Sequence, residues 1–429
     1  MRCYFLVSFE DSAATDDNTV TLDLPDIDKR CSWPASELRD ARAAFPTAAV
    51  DEPAAAALPS PPSTLPPDIV EAVAAVLARD PKTAGMDAVQ FSAAQTFLTL
   101  FLFLGLGVFP TPCTFTVRST LPVGAGLGSS ASFNVCLSAA MLHQRVRRDT
   151  RAAHLGDVSV ASESLLQAII EWSLLGEMCV HGTPSGVDNA VATLGNAVVF
   201  RKQMEQRTPT RPTITALPNL PNTELLLIDT GVSRSTTNEV SKVRNMRDEQ
   251  PGIVEGVFES IHQVTLAAVD VFDALAEEHD SEMVSQLNGR LGRMFDINHN
   301  LLTALGVSHP KIEQVRDAVC ESGAGWAKLT GAGGGGCVIA LLRDSASAET
   351  IGKLQKRLTS MGTEAYKLNL GAPGVCIDAD VGAGGRESFA TIATERLEGV
   401  FGLDREDQPM REGSFKATDG PGRPSIARV

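Results

Sequence analysis

A glycine-rich loop, GAGLGSS from Gly124 to Ser130, has the residue types of an anion-binding site. It lies between the alternating segment CTFTVRSTL (113–121), which predicts a strand, and an apolar stretch that predicts a helix. At such a junction, backbone N–H groups and the positive end of the helix dipole converge, and anions bind there. Ser129 replaces the third glycine of the dinucleotide fingerprint, and no lysine follows Gly128 as in a P-loop. We therefore predict a different phosphate site, with an ordinary tight glycine turn as the alternative.

A second glycine-rich loop, KLTGAGGGG from Lys328 to Gly336, holds five glycines in nine residues and precedes the apolar strand candidate 337–342. Such a sequence exposes backbone N–H groups to a neighbouring anion. A plain hairpin would not need four consecutive glycines. This loop is therefore predicted to be a second phosphate contact.

Two carboxylates stand in the segment GEMCVHGTPSGVDNAV, residues 176–191. Glu177 lies near the end of a predicted helix, and Asp188 comes eleven residues later, after a Pro-Ser-Gly turn. Both can face one pocket, where one could help to hold Mg²⁺ and the other could orient or deprotonate a hydroxyl, as phosphoryl transfer requires. The alternatives are a solvent-facing Glu177 and an Asp188 bonded to its own turn.

Four motifs, taken in chain order, resemble those of the GHMP kinases, the superfamily of galactokinase, homoserine kinase and mevalonate kinase. They are LPVGAGLGSSAS, GEMCVHGTPSGVDNAV, INHNLLTALGVSHPKIEQV (297–315) and KLTGAGGGGCVIALL. Together they span most of residues 113–380. Within the superfamily they look most like the mevalonate kinase branch.

This resemblance implies ATP-dependent phosphorylation of the primary hydroxyl of mevalonate to 5-phosphomevalonate, a step of isoprenoid and sterol biosynthesis, with ATP and Mg²⁺ as cofactors. It implies that Asp188 is the catalytic carboxylate and that Ser130 and Glu177 hold Mg²⁺. Arg234 and Thr236 match family positions near the substrate. The residues implied to bind the ATP phosphates are Gly124, Ala125, Gly126, Leu127, Gly128, Ser129, Ser130, Gly331, Ala332, Gly333 and Gly334.

The fold implied by the resemblance is α+β, with two lobes and the ATP and substrate site in the cleft between them. The N-terminal lobe would span residues 1–215 and the C-terminal lobe residues 216–385. The Pro- and Ala-rich residues 45–67 are predicted to form a surface loop or flexible insertion, and residues 404–429 a disordered tail. The family also implies a homodimer.

The family begins with a strand and loop of the type PGKVILHGEHAVVHG, which brings a lysine beside the catalytic carboxylate. The present sequence begins MRCYFLVSF, which resembles the strand after that segment, and no equivalent lysine is identified. Three hypotheses stay open. They are an active mevalonate kinase, another GHMP kinase acting on phosphomevalonate or a sugar, and a noncatalytic nucleotide-binding isoform or truncated gene model.

The 429 residues carry 52 acidic and 37 basic side chains, a formal charge of −15. This charge repels nucleic-acid backbones and anionic lipid, so neither is predicted as a partner. Eight cysteines show no C-x-x-C spacing, and the N-terminus has no secretory signal, so a cytoplasmic protein is predicted. The apolar run 97–109 has only thirteen residues and is followed by prolines, which favours a buried helix over a membrane span.

Alternating residues predict strands over CYFLVSF (3–9) and TVTLDL (19–24), which are expected to form a hairpin. His181 and His299, which lie inside the family motifs, are predicted to be hydrogen-bonded structural histidines. The remaining predicted elements are helices at 69–78, 131–143, 163–180, 311–322 and 348–361, a mostly helical stretch over 236–305, and strands at 197–200, 224–229 and 375–379.

Overall fold

The computed structural model describes residues 3–9, 18–43, 58–79, 83, 85–109, 111–121, 127–152, 162–182, 184–201, 204–205, 208–209, 213–217, 220, 223–371, 374–378 and 426–428. The chain divides into two compact units. Unit 1 comprises Met1–Pro122, Gly128–Ala216 and Pro373–Val429, and unit 2 comprises Val123–Leu127 and Leu217–Ala372. Each unit combines helices with a largely antiparallel sheet, which confirms the α+β class.

The strands are β1 (Cys3–Phe9), β2 (Thr19–Leu24), β3 (Lys29–Pro34), β4 (Cys113–Ser119), β5 (Ala197–Arg201), β6 (Met204–Glu205), β7 (Thr208–Pro209), β8 (Thr213–Leu217), β9 (Glu224–Asp229), β10 (Gly325–Leu329), β11 (Cys337–Leu342), β12 (Glu364–Asn369), β13 (Cys376–Asp378) and β14 (Ile426–Arg428). The α-helices are α1 (Ala35–Ala43), α2 (Pro67–Arg79), α3 (Ala88–Leu100), α4 (Ser129–Ala152), α5 (Glu163–His181), α6 (Val187–Leu194), α7 (Thr236–Glu249), α8 (Pro251–Glu277), α9 (Ser281–Ala304), α10 (Pro310–Glu321) and α11 (Ala348–Ser360).

Unit 1 is built on a six-stranded sheet in the order β13-β14-β1-β4-β2-β3. Strand β4 lies between β1 and β2: Val117 stands opposite Phe5 in an antiparallel pair, and Phe115 stands opposite Leu22 in a parallel pair. The predicted β1–β2 hairpin is therefore wrong. The first six residues of β4 are all buried, and a strand buried on both faces belongs at the centre of a sheet, with partners on both sides.

The predicted buried helix is confirmed, but it begins at Ala88 and changes at Phe101 into a π-helical turn that ends at Gly105. Asp87 caps its start, because its side chain accepts a hydrogen bond from the backbone N–H of Gln90. Most side chains from Ala94 to Gly105 are buried in the core of unit 1. In the described part of the chain, 88–105 is the one helix long and apolar enough to cross a membrane by length and composition.

Two predictions about irregular segments need correction. Within the predicted insertion, the indole N–H of Trp172 donates to the carbonyl of Pro59 at 2.7 Å, and Leu58 and Leu65 pack against the core. Residues 58–66 are thus held by an apolar contact and a buried hydrogen bond, whereas residues 45–57 lie outside the described residues. Strand β14 pairs with β1 and β13, so the disordered-tail prediction is wrong for 426–428; residues 404–425 are outside the described part.

Unit 2 is built on an antiparallel sheet in the order β10-β11-β9-β12. Alternate residues of β9, β10 and β11 belong to two apolar clusters, one shared with α10 and α11 and the other with α8 and α9. The helical prediction for 236–305 is confirmed by α7, α8 and α9. Strands β10 and β12 were not predicted, because GWAKL and EAYKLN are short and carry little of the apolar alternation that identifies a strand.

Candidate active site

The described part of the first glycine loop leads directly into the N-terminus of α4. Gly128 has a φ of +71°, a left-handed conformation that favours glycine, and α4 begins at the next residue, Ser129. The first turn of an α-helix leaves its N–H groups without intrahelical acceptors, and both Ser129 and Ser130 belong to that turn. The end of the loop therefore has the geometry that binds anions. The predicted contacts Gly124, Ala125 and Gly126 lie outside the described residues.

Glu177 lies in the last turn of α5, where only 5% of its surface is exposed. Helix α5 packs against α4, and two side chains one turn apart on α4 reach its carboxylate. The amide Nδ2 of Asn134 donates to Oε1 at 2.7 Å, and the hydroxyl of Ser130 donates to Oε2 at 3.3 Å. Ser130 and Glu177, predicted to act together, are thus in contact.

The carboxyl group of Glu177 has a raised pKa. Burial is the main cause, and the negative charge of Asp188 adds to it. The hydrogen bonds from Asn134 and Ser130 and the neighbouring His181 lower the pKa without cancelling the effect of burial. A cation bound at this carboxylate would also lower its pKa, because a positive charge favours the ionised form.

Asp188 is the second residue of α6, and this helix begins directly after Gly186, whose φ of +81° allows the turn into the helix. A Cβ atom built on Gly128 would lie 3.6 Å from the Cβ of Asp188 and 3.9 Å from its Oδ2. The Asp188 side chain is therefore beside the end of the first glycine loop. Unit 1 brings the loop end, the α4 hydroxyl and both predicted carboxylates into one neighbourhood.

The two motif histidines have different environments. His299 is fully buried: its Nδ1 accepts a hydrogen bond from the Leu329 N–H at 3.2 Å, so its Nε2 carries the proton and donates to Glu313 at 3.0 Å. This confirms the structural prediction for His299. His181 is 56% exposed, and its Nε2 is 3.8 Å from Oε2 of Glu177. The same prediction is wrong for His181, because the last residue of α5 faces outward.

The second glycine loop, in unit 2, is fixed by hydrogen bonds to its own neighbours. The N–H of Gly334 donates to the carbonyl of Val307 at 2.8 Å, and the N–H of Gly336 donates to that of Val232 at 2.9 Å. The carbonyl of Gly336 accepts from the backbone N–H and the hydroxyl of Thr230, at 3.1 and 2.6 Å. Two of the N–H groups that could face a phosphate, those of Gly334 and Gly336, thus already donate hydrogen bonds within the protein.

Glycine is needed in this loop for reasons of backbone and packing. Positive φ angles occur at Gly331, Gly333, Gly334, Gly335 and Gly336. A Cβ on Gly333 would overlap the Val307 carbonyl, and one on Gly335 would lie 2.7 Å from that of Val232. The four consecutive glycines therefore have a structural explanation that requires no ligand.

The two predicted substrate residues, Arg234 and Thr236, differ in exposure and in their contact with this loop. Arg234 is half-buried, and its Nη1 donates to the carbonyl of Thr330 at 3.0 Å. Its guanidinium lies so close to Gly331 that a Cβ there would be 2.6 Å from Nη1. Thr236 is the exposed first residue of α7, after the N-cap Ser235. Arg234 therefore contacts the glycine loop directly.

Comparisons with known proteins show which family the chain resembles. Residues 91–196 match the family model described as GHMP kinases N terminal domain, and residues 274–358 match GHMP kinases C terminal. The mevalonate kinase of Candida albicans is 38% identical over 390 residues, which cover 88% of this chain and 83% of that protein. The chain belongs to the mevalonate kinase family. The resemblance predicted from the four motifs is confirmed.

Other members of the mevalonate kinase family are covered less completely. Mevalonate kinase ERG12 of Gibberella zeae is 42% identical over 67% of this chain, and the match covers 55% of that protein. Mevalonate kinase erg12 of Aspergillus fumigatus is 44% identical over 66% of this chain, and the match covers 51% of that protein. The chain thus spans about half the length of these relatives.

Solved structures share the fold. The L. major mevalonate kinase in complex with R-mevalonate has a TM-score of 0.50 at 21% identity, over 66% of this chain and 77% of that one. A Lin0012 protein from Listeria innocua has a TM-score of 0.51 at 15% identity, over 86% of this chain and 98% of that one. At these identities the likeness is one of fold alone.

Mg²⁺, the metal that the mevalonate kinase resemblance implies, fits the oxygens at Ser130 and Glu177. Among the described residues, no cluster of three or more His, Cys, Asp or Glu side chains could hold a metal ion by itself. Mg²⁺ does not need such a cluster, because it binds through one or two protein oxygens and completes its shell with water and substrate phosphates.

Sequence reasoning missed Asn134, which makes the shortest hydrogen bond to Glu177 that the structure records. The residue stands in the apolar helix segment ASFNVCLSAAMLH. An amide among apolar residues is a signal in itself, because a buried polar group needs a partner. The sequence did not indicate which residue that partner is.

Proposed function

We propose that this protein transfers the γ-phosphoryl group of ATP to the primary hydroxyl of mevalonate. The observation that carries the proposal is the grouping of Ser130, Glu177 and Asp188 beside the N-terminus of α4. It occurs in a chain of the mevalonate kinase family, whose relatives are named for this reaction.

Binding of the nucleotide is assigned to two places. The N–H groups in the first turn of α4 would hold the phosphates, and the helix dipole would favour their charge. In the second glycine loop, the N–H groups of Gly334 and Gly336 are used by the protein, so phosphate contacts there fall to Gly331, Ala332 and Gly333. Mg²⁺, when bound, neutralises charge on the β- and γ-phosphates.

The two carboxylates have separate roles. Glu177 is buried and hydrogen-bonded, so its oxygens are fixed, and it offers Oε2 together with the Ser130 hydroxyl to the metal. Asp188 is exposed at the start of α6 and can reach a substrate. We assign to Asp188 the task of orienting the substrate hydroxyl and accepting its proton, and we place Arg234 and Thr236 near the rest of the substrate.

The test is ADP release by the 429-residue chain with ATP, Mg²⁺ and one acceptor at a time: R-mevalonate, phosphomevalonate or galactose. We expect turnover with mevalonate. Turnover with only phosphomevalonate or galactose would favour another GHMP kinase, and ATP binding without turnover on any acceptor would favour the noncatalytic alternative.

Substitution of Asp188 tests the mechanism. General-base catalysis contributes roughly 10²- to 10⁴-fold, so Asp188→Asn should lose about that much in kcat while it still binds ATP. Asp273→Asn on the exposed face of α8 is the matched control and should keep the parent rate. An Asp188→Asn variant with more than half of the parent rate would remove Asp188 from the mechanism.

We further propose a cytoplasmic homodimer with neither nucleic acid nor membrane as a partner. The charge of −15 supports the absence of anionic partners, and none of the eight cysteines, all of which lie in the described residues, forms a disulfide bond, as expected in a reducing compartment. Light scattering should give about twice the chain mass of 45.4 kDa, and the mass of a single chain would contradict the dimer.

A further inference from the structure

Asn134 stands one turn after Ser130 on α4, and its side chain is 1% exposed. Its Nδ2 is 2.7 Å from Oε1 of Glu177, whereas the Ser130 hydroxyl is 3.3 Å from Oε2. The two carboxylate oxygens therefore have different partners. Asn134 binds the oxygen that Ser130 does not contact.

The orientation of the Asn134 amide follows from the chemistry of its partner. A carboxylate only accepts hydrogen bonds, so the NH₂ group must face Glu177 and the carbonyl must face away. Oδ1 then points to the backbone of Gly176 and has no hydrogen-bond partner among the described residues. The bond to Glu177 is thus what the Asn134 side chain supplies.

Space for this amide depends on Gly176. A Cβ atom at that position would lie 2.6 Å from Oδ1 of Asn134, 2.9 Å from its Cγ and 3.3 Å from Cδ1 of Leu100. Glycine weakens the interior of a helix, so its presence in α5 needs a reason of packing. The close approach of Asn134 provides that reason.

We propose that Asn134 is a positioning residue that holds Oε1 of Glu177 and thereby directs Oε2 towards Ser130 and the metal. The inference rests on the metal assignment in the proposed function. A carboxylate fixed at one oxygen cannot rotate to present the other elsewhere.

Two variants remove the donor while nearly keeping its size. Asn134→Asp places an oxygen against Oε1, and Asn134→Leu leaves Glu177 without that bond. Loss of a partner that orients a metal ligand typically lowers metal affinity about 10- to 100-fold. We expect this loss for both variants, with the KM for mevalonate near the parent value.

The measurement is binding of Mn²⁺ in the presence of ADP, followed by electron paramagnetic resonance, which needs no turnover. Ser138→Ala is the matched control, because Ser138 is buried on the same helix and its Oγ has no partner among the described residues. It should bind Mn²⁺ like the parent.

Gly176→Ala is an independent variant for the case in which a change at Asn134 prevents folding. The added methyl group displaces the Asn134 amide, so a similar loss of Mn²⁺ affinity is expected. Parent affinity in Asn134→Asp and Asn134→Leu would overturn the positioning role. If Glu177→Gln also keeps parent affinity, the metal assignment in the proposed function fails as well, so the two failures are distinguishable.

Discussion

A Cβ atom on Gly334 would lie 2.5 Å from Oε1 of Glu239. Glu239 stands in α7 and is only 7% exposed, and its Oε1 also accepts from Nζ of Lys242 at 2.7 Å. The glycine loop and α7 thus meet at one buried carboxylate. The absence of a side chain at Gly334 is what permits this contact.

Gly334→Ala should destabilise unit 2. The residue has a φ of +70°, and the new methyl group would force Glu239 away from Lys242. Strain of this kind costs of order 1–3 kcal/mol. Urea unfolding measures the loss, and Gly334→Ala with Glu239→Ala should recover the steric part of it. Gly352→Ala, in α11 with open space around it, is the control, and an equal effect there would contradict the explanation.

Arg234→Lys should raise the KM for mevalonate. A lysine keeps the charge but cannot hold the Thr330 carbonyl while lying flat against Gly331. We expect the misplaced charge to lose a hydrogen bond to mevalonate, and such a bond from a charged group is worth about 1.5–3 kcal/mol, or roughly tenfold or more in kcat/KM. Arg244→Lys on the exposed face of α7 should match the parent in steady-state kinetics. Parent kinetics for Arg234→Lys would show that charge alone suffices.

Ser130→Ala and Glu177→Gln should each raise the Mg²⁺ concentration needed for half-maximal activity, by roughly tenfold. Each removes one oxygen ligand, and water can partly replace it. Glu171→Gln, a solvent-facing position on α5, provides the matched control. Titration curves of both variants that overlay the parent curve would refute the metal assignment.

Acidification should destabilise unit 1 through His143. Burial, with a smaller effect of Arg147, lowers the pKa of His143 to about 4, against about 6.5 in an unfolded chain. Between these values the unfolded state binds a proton that the folded state does not. The contribution of His143 to the free energy of unfolding is therefore fully present above pH 6.5. It is lost as the pH falls towards 4, and the total loss is about 3 kcal/mol.

Urea midpoints at pH 7, 6 and 5 test this expectation. His143→Gln should show a shallower decline than the parent chain, while His262→Gln, which changes an exposed residue of α8, should not. Equal slopes for His143→Gln and the parent would contradict the role of His143.

Strong periodicity made most elements predictable, and the failures have physical causes. The apolar pattern of β1 and β2 identified two strands, but a pattern does not say which strand pairs with which. Strand β4 separates them because it is buried on both faces. Pairing is thus a tertiary property that local sequence does not carry.

At the site, the spacing of Glu177 and Asp188 predicted a neighbourhood of two carboxylates. The structure places both near the end of the first glycine loop. Asn134 was missed because its importance depends on helix packing. The glycine run 331–336 predicts a phosphate contact, whereas close approaches to Val307 and Val232 already require glycine at Gly333 and Gly335.

The discontinuity of unit 1 has a consequence during protein synthesis. Nearly all of unit 2 comes from one stretch, 217–372, so its sheet can close once that stretch has left the ribosome. The sheet of unit 1 cannot be completed at that stage, because Tyr4 of β1 pairs with Arg428 of β14. Until β14 is made, one edge of the apolar strand CYFLVSF stays without its neighbour and is open to pairing with other chains. The nascent chain therefore completes its second unit before its first, and it depends on protection of an early strand by a late one.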